Sequence, residues 1–339
     1  MNTQPIRIKS PADLLALVPC VLGFHPDESL VLVVLSGTGG NLHARIDIAF
    51  DDDDELLRAG IGSLMTAVAR SGADKVAVIA YTDDEVLAGW AVDLLDEALF
   101  ELDPRIEIVT AIRADGRRWF ALDCDDDCCP PDGRAYDLST HPITVQSVVD
   151  GQVTFRNRDE LADSLVGDPD RVEAVADAVE EAVRRLPAGT RGTGEPPRSV
   201  GHLAAEAVWL QARVRRAVDG GERLDDAEVA RALVAMTNIQ VRDVAWSEMS
   251  RADARGHVDL WRDVVRRTPT ELMPAPAALL GFAAWLSGDG ALAWCAVERC
   301  LEAQPDYSMA ALISQALTAA VPPSTWTPVP PEELPLFAS

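Results

Sequence analysis

The sequence predicts an α/β domain (a mixed sheet with helices packed on it) followed by an all-α helical domain ending in a single tetratricopeptide-like hairpin. Three observations carry this reading. Continuous apolar runs of strand length, Leu30 to Leu35 and Lys75 to Tyr81, mark buried central strands in the first half. Stretches of helical period lie between the strand candidates. Beyond the Gly- and Pro-rich stretch Pro187 to Arg198, almost every segment reads as helix. The expected layout is 1–158 for the α/β domain and 159–198 for an amphipathic helix and flexible linker. Residues 199–321 then form the helical domain and 322–339 a Pro-rich tail.

Ile6 to Lys9 is a short strand candidate. Ser10 offers an N-cap, Pro11 fits the first helical position and Asp13 completes a capping-box pattern, so a helix runs to about Pro19 or Gly23. Leu30 to Leu35 and Leu42 to Phe50 pair as a hairpin across the turn residues Ser36 to Asn41. The acidic run Asp51 to Asp54 opens a helix reaching about Ser71, where carboxylates suit the N-terminal dipole. After the strand Lys75 to Tyr81, Asp83 and Asp84 cap a helix to Leu102. Ile106 to Ile112 and Arg117 to Leu122 form a second hairpin, turning at Asp115-Gly116. Strict strand–helix alternation is missing, hence a mixed sheet.

Cys124 to Tyr136 reads as a loop, Val145 to Phe155 as an edge hairpin around Asp150-Gly151, and Arg171 to Leu186 as an amphipathic helix. Further helices are expected near 199–218, 225–249, 257–267, 276–287, 290–303 and 307–320. Leu280, Gly281, Ala293, Val297, Cys300 and Pro305 fall at the intervals of one tetratricopeptide-like hairpin, with Ala277 where the repeat carries an aromatic. One repeat cannot bury its own face, so the hairpin is expected to cap the domain. The tail after Val321, rich in proline, is expected to run extended along the surface or to be disordered.

Composition narrows the partners. With 55 acidic against 30 basic side chains the formal charge is −25, a field that repels phosphate backbones and anionic lipid, so neither nucleic acid nor membrane is expected as a partner. Arg213, Arg215 and Arg216 form the densest basic cluster and read as a solvated helix face. The longest uncharged run, Leu272 to Ser287, is short and reads as a core helix, and Met1 to Ser10 lacks the apolar stretch of a signal peptide. A cytoplasmic location is therefore expected, with the six cysteines as thiols, buried or liganded.

Several segments resemble a known family. They are SPADLLALVPCVLGFHPDESLVLV at the start, the loop CDDDCCPPDG, the segment VRDVAW and the run LLGFAAWLSGDGALAWCAVERCLEAQPDYSMA. The chain resembles the actinobacterial domain-of-unknown-function family 4192 over nearly its whole length. The resemblance implies a cytoplasmic actinobacterial protein and brings no activity, cofactor or catalytic residue.

Four places carry chemistry worth following. The turn Gly23 to Ser29 holds His25, Asp27 and Glu28, a set able to support acid–base work or hold a cation, or simply to stabilise a Pro-initiated turn. Asp83 follows a strand at its carboxyl end, where open sheets place ligands, but an N-cap role also explains it. Cys124, Cys128 and Cys129, with His141 or Cys20 as a further ligand, could grip zinc or form a redox pair, or merely pack. Arg242, beside Asp243 in an apolar helix, could reach an anionic cofactor or ligand, or brace two domains through an ion pair. Arg45 and Asp47 share a strand face and are expected to pair. No complete P-loop, GxGxxG, GxSxG or HExxH signature occurs. The leading expectation is a non-catalytic regulatory protein binding a protein partner or small-molecule ligand. The alternatives are a hydrolase or transferase using His25 with nearby carboxylates, and a zinc-stabilised or thiol-redox protein.

Overall fold

The computed structural model describes residues 8–37, 43–48, 55–102, 105–124, 129–185 and 200–337. Half of the strand candidate Ile6 to Lys9 lies outside them. So do most of the turn Ser36 to Asn41, the run Asp51 to Asp54, the linker 187–198 and Cys128. The chain divides into two compact units, residues 1–158 with 318–321, and residues 159–317 with 322–339.

The first unit begins with α1 (Pro11–Leu22), started as its sequence dictates: the Ser10 side chain accepts from the Asp13 backbone N–H. It ends at Gly23, whose φ of 75° is the left-handed cap conformation that glycine adopts without a Cβ penalty. Then follow β1 (Ser29–Gly37), β2 (His43–Asp47), α2 (Glu55–Ser71), β3 (Ala73–Tyr81), α3 (Glu85–Phe100), β4 (Glu107–Ala114), β5 (Arg118–Ala121) and the two-residue β6 (Arg134–Ala135). The six strands form one mixed sheet in the order β2-β1-β3-β4-β5-β6. Only β3 and β4 run parallel, with α3 as the crossover between them; the other neighbours are antiparallel.

Alternation divides the side chains of β1 and β3 between two faces. Leu30, Leu32, Val34, Val76, Val78 and Ala80 join a core with α2 and α3. Val31, Val33, Ala77 and Ile79 point the other way and are equally buried. A strand dry on both faces has no room for a polar side chain along its length, which is why these runs are continuously apolar.

One expected element is absent. Val145 to Phe155 is not a hairpin: α4 (Pro142–Val149) occupies its first half, and a turn follows. His141 caps it through Nδ1, which accepts from the Ile143 N–H, and Pro142 takes the first helical position. Val145, Val148 and Val149 remain exposed, so the β-branched residues that suggested a strand bury nothing.

The described residues of the second unit are largely helical: α5 (Arg158–Asp163, reaching into this unit), α6 (Pro169–Arg184), α7 (Val200–Gly220), α8 (Asp226–Met236), α9 (Ile239–Ser247), α10 (Ala254–Val265), α11 (Pro274–Ser287), α12 (Gly290–Ala303) and α13 (Ser308–Thr318). The stretch expected as one helix over 225–249 breaks at Asn238, whose side chain caps α9. Arg213 is not on a solvated face. It is 3% exposed and forked onto Glu228, with Nε–Oε1 at 2.7 Å and Nη2–Oε2 at 2.9 Å. The tail is ordered where described: Trp326 packs 5.1 Å from the rings of both Trp246 and Phe282 and donates Nε1–H to the Met249 carbonyl at 2.8 Å. No described helix is long and apolar enough to cross a membrane.

One consequence of this burial is measurable. Burial in β2 pushes the His43 imidazole down to about 4, so it stays neutral in the fold while the unfolded chain takes up a proton near 6.5. Its contribution to stability is therefore full above pH 6.5 and is lost as pH falls from there through about 4. Replacing His43→Gln should flatten the acid limb of the stability–pH curve by up to about 3 kcal/mol. Urea unfolding of both proteins at pH 7 and pH 4.5 checks it; identical slopes would refute the assignment.

Candidate functional site

The lip of the sheet organises the site. Ser29 of β1 lies opposite Tyr81 of β3, and Tyr81 opposite Ala114 of β4, so the start of one strand and the carboxyl ends of two parallel ones fall in a single row. The polar residues that the strands exclude appear directly beyond this row, in the turns 23–28, 82–84 and 115–117. Ligands of open α/β sheets sit at such carboxyl ends.

The first turn is held rigidly. His25 N–H donates to the Phe155 carbonyl at 3.0 Å and Phe155 N–H to Gly23 at 2.8 Å, pinning the turn to the segment after α4. Glu28 has φ +39°, a left-handed conformation that costs a non-glycine residue roughly 1 kcal/mol or more. The bend lets its carboxylate accept the Thr82 hydroxyl, at 3.0 and 3.1 Å. The Ser29 hydroxyl donates to the Asp27 carbonyl and accepts from Arg45 Nε at 2.8 Å. Arg45 also pairs with Asp47, as the strand alternation indicated.

At the end of β3, Thr82 N–H extends the ladder to the Ala114 carbonyl at 3.1 Å. The cap of α3 is Asp84, whose Oδ1 accepts from Val86 and Leu87 at 2.8 and 3.0 Å. The capping role considered for Asp83 thus falls to its neighbour, and the Asp83 carboxylate has no hydrogen-bond partner among the described residues. Arg113, 6% exposed, donates to the Asp83 carbonyl at 3.2 Å and lies over the Phe120 ring at 3.8 Å, fixing the backbone of that turn. Burial alone would raise the Asp115 carboxyl. The N–H groups of Arg118 and Arg117 and the charges of Arg113 and Arg118 hold it below the ordinary range instead.

Together with α1, α4 and residues 136–139, these turns line a partly open cavity of about 880 Å³. His25, Asp27, Glu28 and Asp83 all line it, the four candidates of the two acidic turns brought to one place. Burial lowers the His25 imidazole below its usual value, so the ring is neutral at pH 7 and able to accept a proton. No lysine or arginine is among the described lining residues.

Sequence reasoning passed over Tyr81, Thr82, Asp115 and Tyr136, which also line the cavity. Tyr81 is buried, and its Oη has no hydrogen-bond partner among the described residues. Burial, reinforced by Tyr136, pushes its phenol well above the ordinary value. A tyrosine ending an otherwise aliphatic strand, followed by threonine, was the available signal: a polar tip at the lip of a dry strand.

The remaining candidates lie elsewhere. His141 Nε2 stands 3.2 Å from Asp13 Oδ1, tying α4 to α1 while Nδ1 caps α4. Cys124 and Cys129 are half-buried thiols away from the cavity lining, and Cys128 lies outside the described residues. Among the described residues no three His, Cys, Asp or Glu side chains are placed to hold a metal ion. Arg242 is 5% exposed and donates to Asp243 and to the Tyr307 hydroxyl at 2.9 Å, both within the helical unit.

Fold and site together define a mixed-sheet α/β protein with an acidic cavity at the carboxyl ends of its parallel strand pair, followed by a largely helical part. The chain belongs to the family described as Domain of unknown function (DUF4192), whose sequence model matches residues 11–324. No curated protein and no solved structure matches it.

The division of labour between the two neighbouring aspartates is testable. Asp84→Ala should destabilise by about 1 kcal/mol through loss of the cap, while Asp83→Ala should stay within roughly 0.5 kcal/mol of the parent. Urea unfolding midpoints decide it; a larger loss for Asp83→Ala would make Asp83 structural.

Proposed function

We propose that this is a non-catalytic, regulatory protein whose α/β unit binds a small polar molecule in the cavity at the sheet lip. The observation that carries the reading is that His25, Asp27 and Asp83 line one partly open cavity with side chains that have no hydrogen-bond partner among the described residues. The buried Tyr81 Oη in the same lining also lacks a partner among the described residues, and buried polar groups without partners are uncommon unless something else satisfies them. Native and denaturing mass spectrometry of the same purified sample test it. The parent should carry a small mass lost on denaturation, and Ser139→Trp, which fills the rim, should lack it. Equal retention by both proteins, or no bound mass and no thermal stabilisation by any metabolite tried, sinks the reading. A ligand at a hundred times its Kd should add about 2.7 kcal/mol of stability.

A second reading draws on the neutral His25: a hydrolase or transferase in which this ring is the base and Asp27, Glu28 or Asp83 orients it. Steady turnover of a defined substrate, abolished in His25→Ala with folding intact, would favour it over binding alone. We further read α11 and α12 as one tetratricopeptide-like hairpin. Gly281 supports this, since a Cβ there would stand 3.2 Å from Val297 Cγ2 and 3.4 Å from the Ala293 carbonyl.

A further inference from the structure

We infer that the cavity takes an organic cation, an alkylamine or guanidinium compound; the inference rests on reading the cavity as a ligand site. Among the described residues its lining contains five carboxylates, Asp27, Glu28, Asp83, Asp115 and Asp137, and neither lysine nor arginine. Three of the five already have donors: Glu28 takes the Thr82 hydroxyl, Asp115 the turn amides of Arg117 and Arg118, and Asp137 the Ser139 N–H. Asp27 and Asp83, on turns leading into β1 and out of β3, have no hydrogen-bond donor among the described residues.

Tyr81 is a second, independent sign of a polar ligand in this cavity. Its buried Oη lacks a partner among the described residues, and its phenol stays un-ionised at any physiological pH. A neutral phenol both donates and accepts, so a ligand N–H can satisfy that oxygen. The neutral His25 ring adds an acceptor. The nearest buried guanidinium, Arg113, is held on Phe120 and the Asp83 carbonyl and, although its charge is felt by Asp115, it is not in the described lining, so an anion entering here would meet carboxylates with no guanidinium to receive it. A bare metal ion fits poorly too. No three His, Cys, Asp or Glu groups among the described residues come close enough to hold one, whereas an extended cation can present separate N–H groups to separate carboxylates.

The test is calorimetric titration at low salt with agmatine and 1,4-diaminobutane, against succinate and 1,4-butanediol as anionic and neutral analogues of similar length. The amines should bind, and the two analogues should not. Asp83→Asn should weaken agmatine about tenfold, the loss of one charge-assisted contact, and Tyr81→Phe several-fold. Asp93→Asn, an exposed change on α3 outside the cavity, should leave binding unchanged. An equal loss in Asp93→Asn would mean diffuse attraction to an acidic protein and would overturn the inference. So would binding of succinate or butanediol as tight as the amines, although the cavity would then still be a ligand site. If no probe binds while the purified protein releases a cavity-bound mass, the cation inference fails alone; if neither occurs, it fails with the reading beneath it. Should Tyr81→Phe unfold, Asp83→Asn carries the decision.

Discussion

Burial of β3 on both faces is the constraint from which the first unit follows. Val76 through Ala80 have no solvent exposure, so each large side chain there contributes about 1.5–3 kcal/mol on leaving water. The backbone groups of such a strand must be bonded to neighbours on both edges, which antiparallel β1 and parallel β4 provide. Parallel pairing in turn requires a crossover, and α3 supplies it. The same geometry removes polar side chains from the middle of the sheet and collects them where the strands stop.

The cavity is the result of that displacement. Thr82, Asp83 and Asp84 follow the last dry residue of β3 in immediate succession and take three different roles: hydroxyl donor to Glu28, cavity carboxylate and helix cap. Arg113 can be buried because its positive charge lies on an aromatic face and against a carbonyl. The left-handed Glu28 is the strained member, and the registered row Ser29, Tyr81 and Ala114 beneath it keeps the turn from relaxing.

In the helical unit, buried arginine takes the part that continuous strands play in the first. Arg213 on Glu228, Arg242 on Asp243 and Tyr307, and Arg267 on Asp226, Asp263 and the Leu224 carbonyl each satisfy a guanidinium inside a helical core. Planar forks with several donors suit such sites, because one side chain can be matched on more than one side. The aromatic group of Trp246, Phe282 and Trp326 then holds the proline-rich tail against α9 and α11.

Much of this was legible in the chain itself. The dry strands showed as uninterrupted aliphatic runs, α1 as Ser10-Pro11 at one end and Gly23 at the other, and the turn at Asp115-Gly116 as a dipeptide with few alternatives. These features are local, fixed by backbone sterics and by the period of burial. His25, Asp27, Glu28 and Asp83 could be singled out for the same reason, since each adjoins a strand end. Which side chains share a space is a different kind of fact. Only strand order brings residue 25 beside residue 83, only packing makes Tyr81 a buried hydroxyl without a partner, and only the choice of Asp84 as cap leaves Asp83 to the cavity. The valines of 145–153 and the guanidinium of Arg213 misled for one reason: whether a branched or charged side chain is buried depends on what lies across from it, and that is decided by contacts distant in sequence.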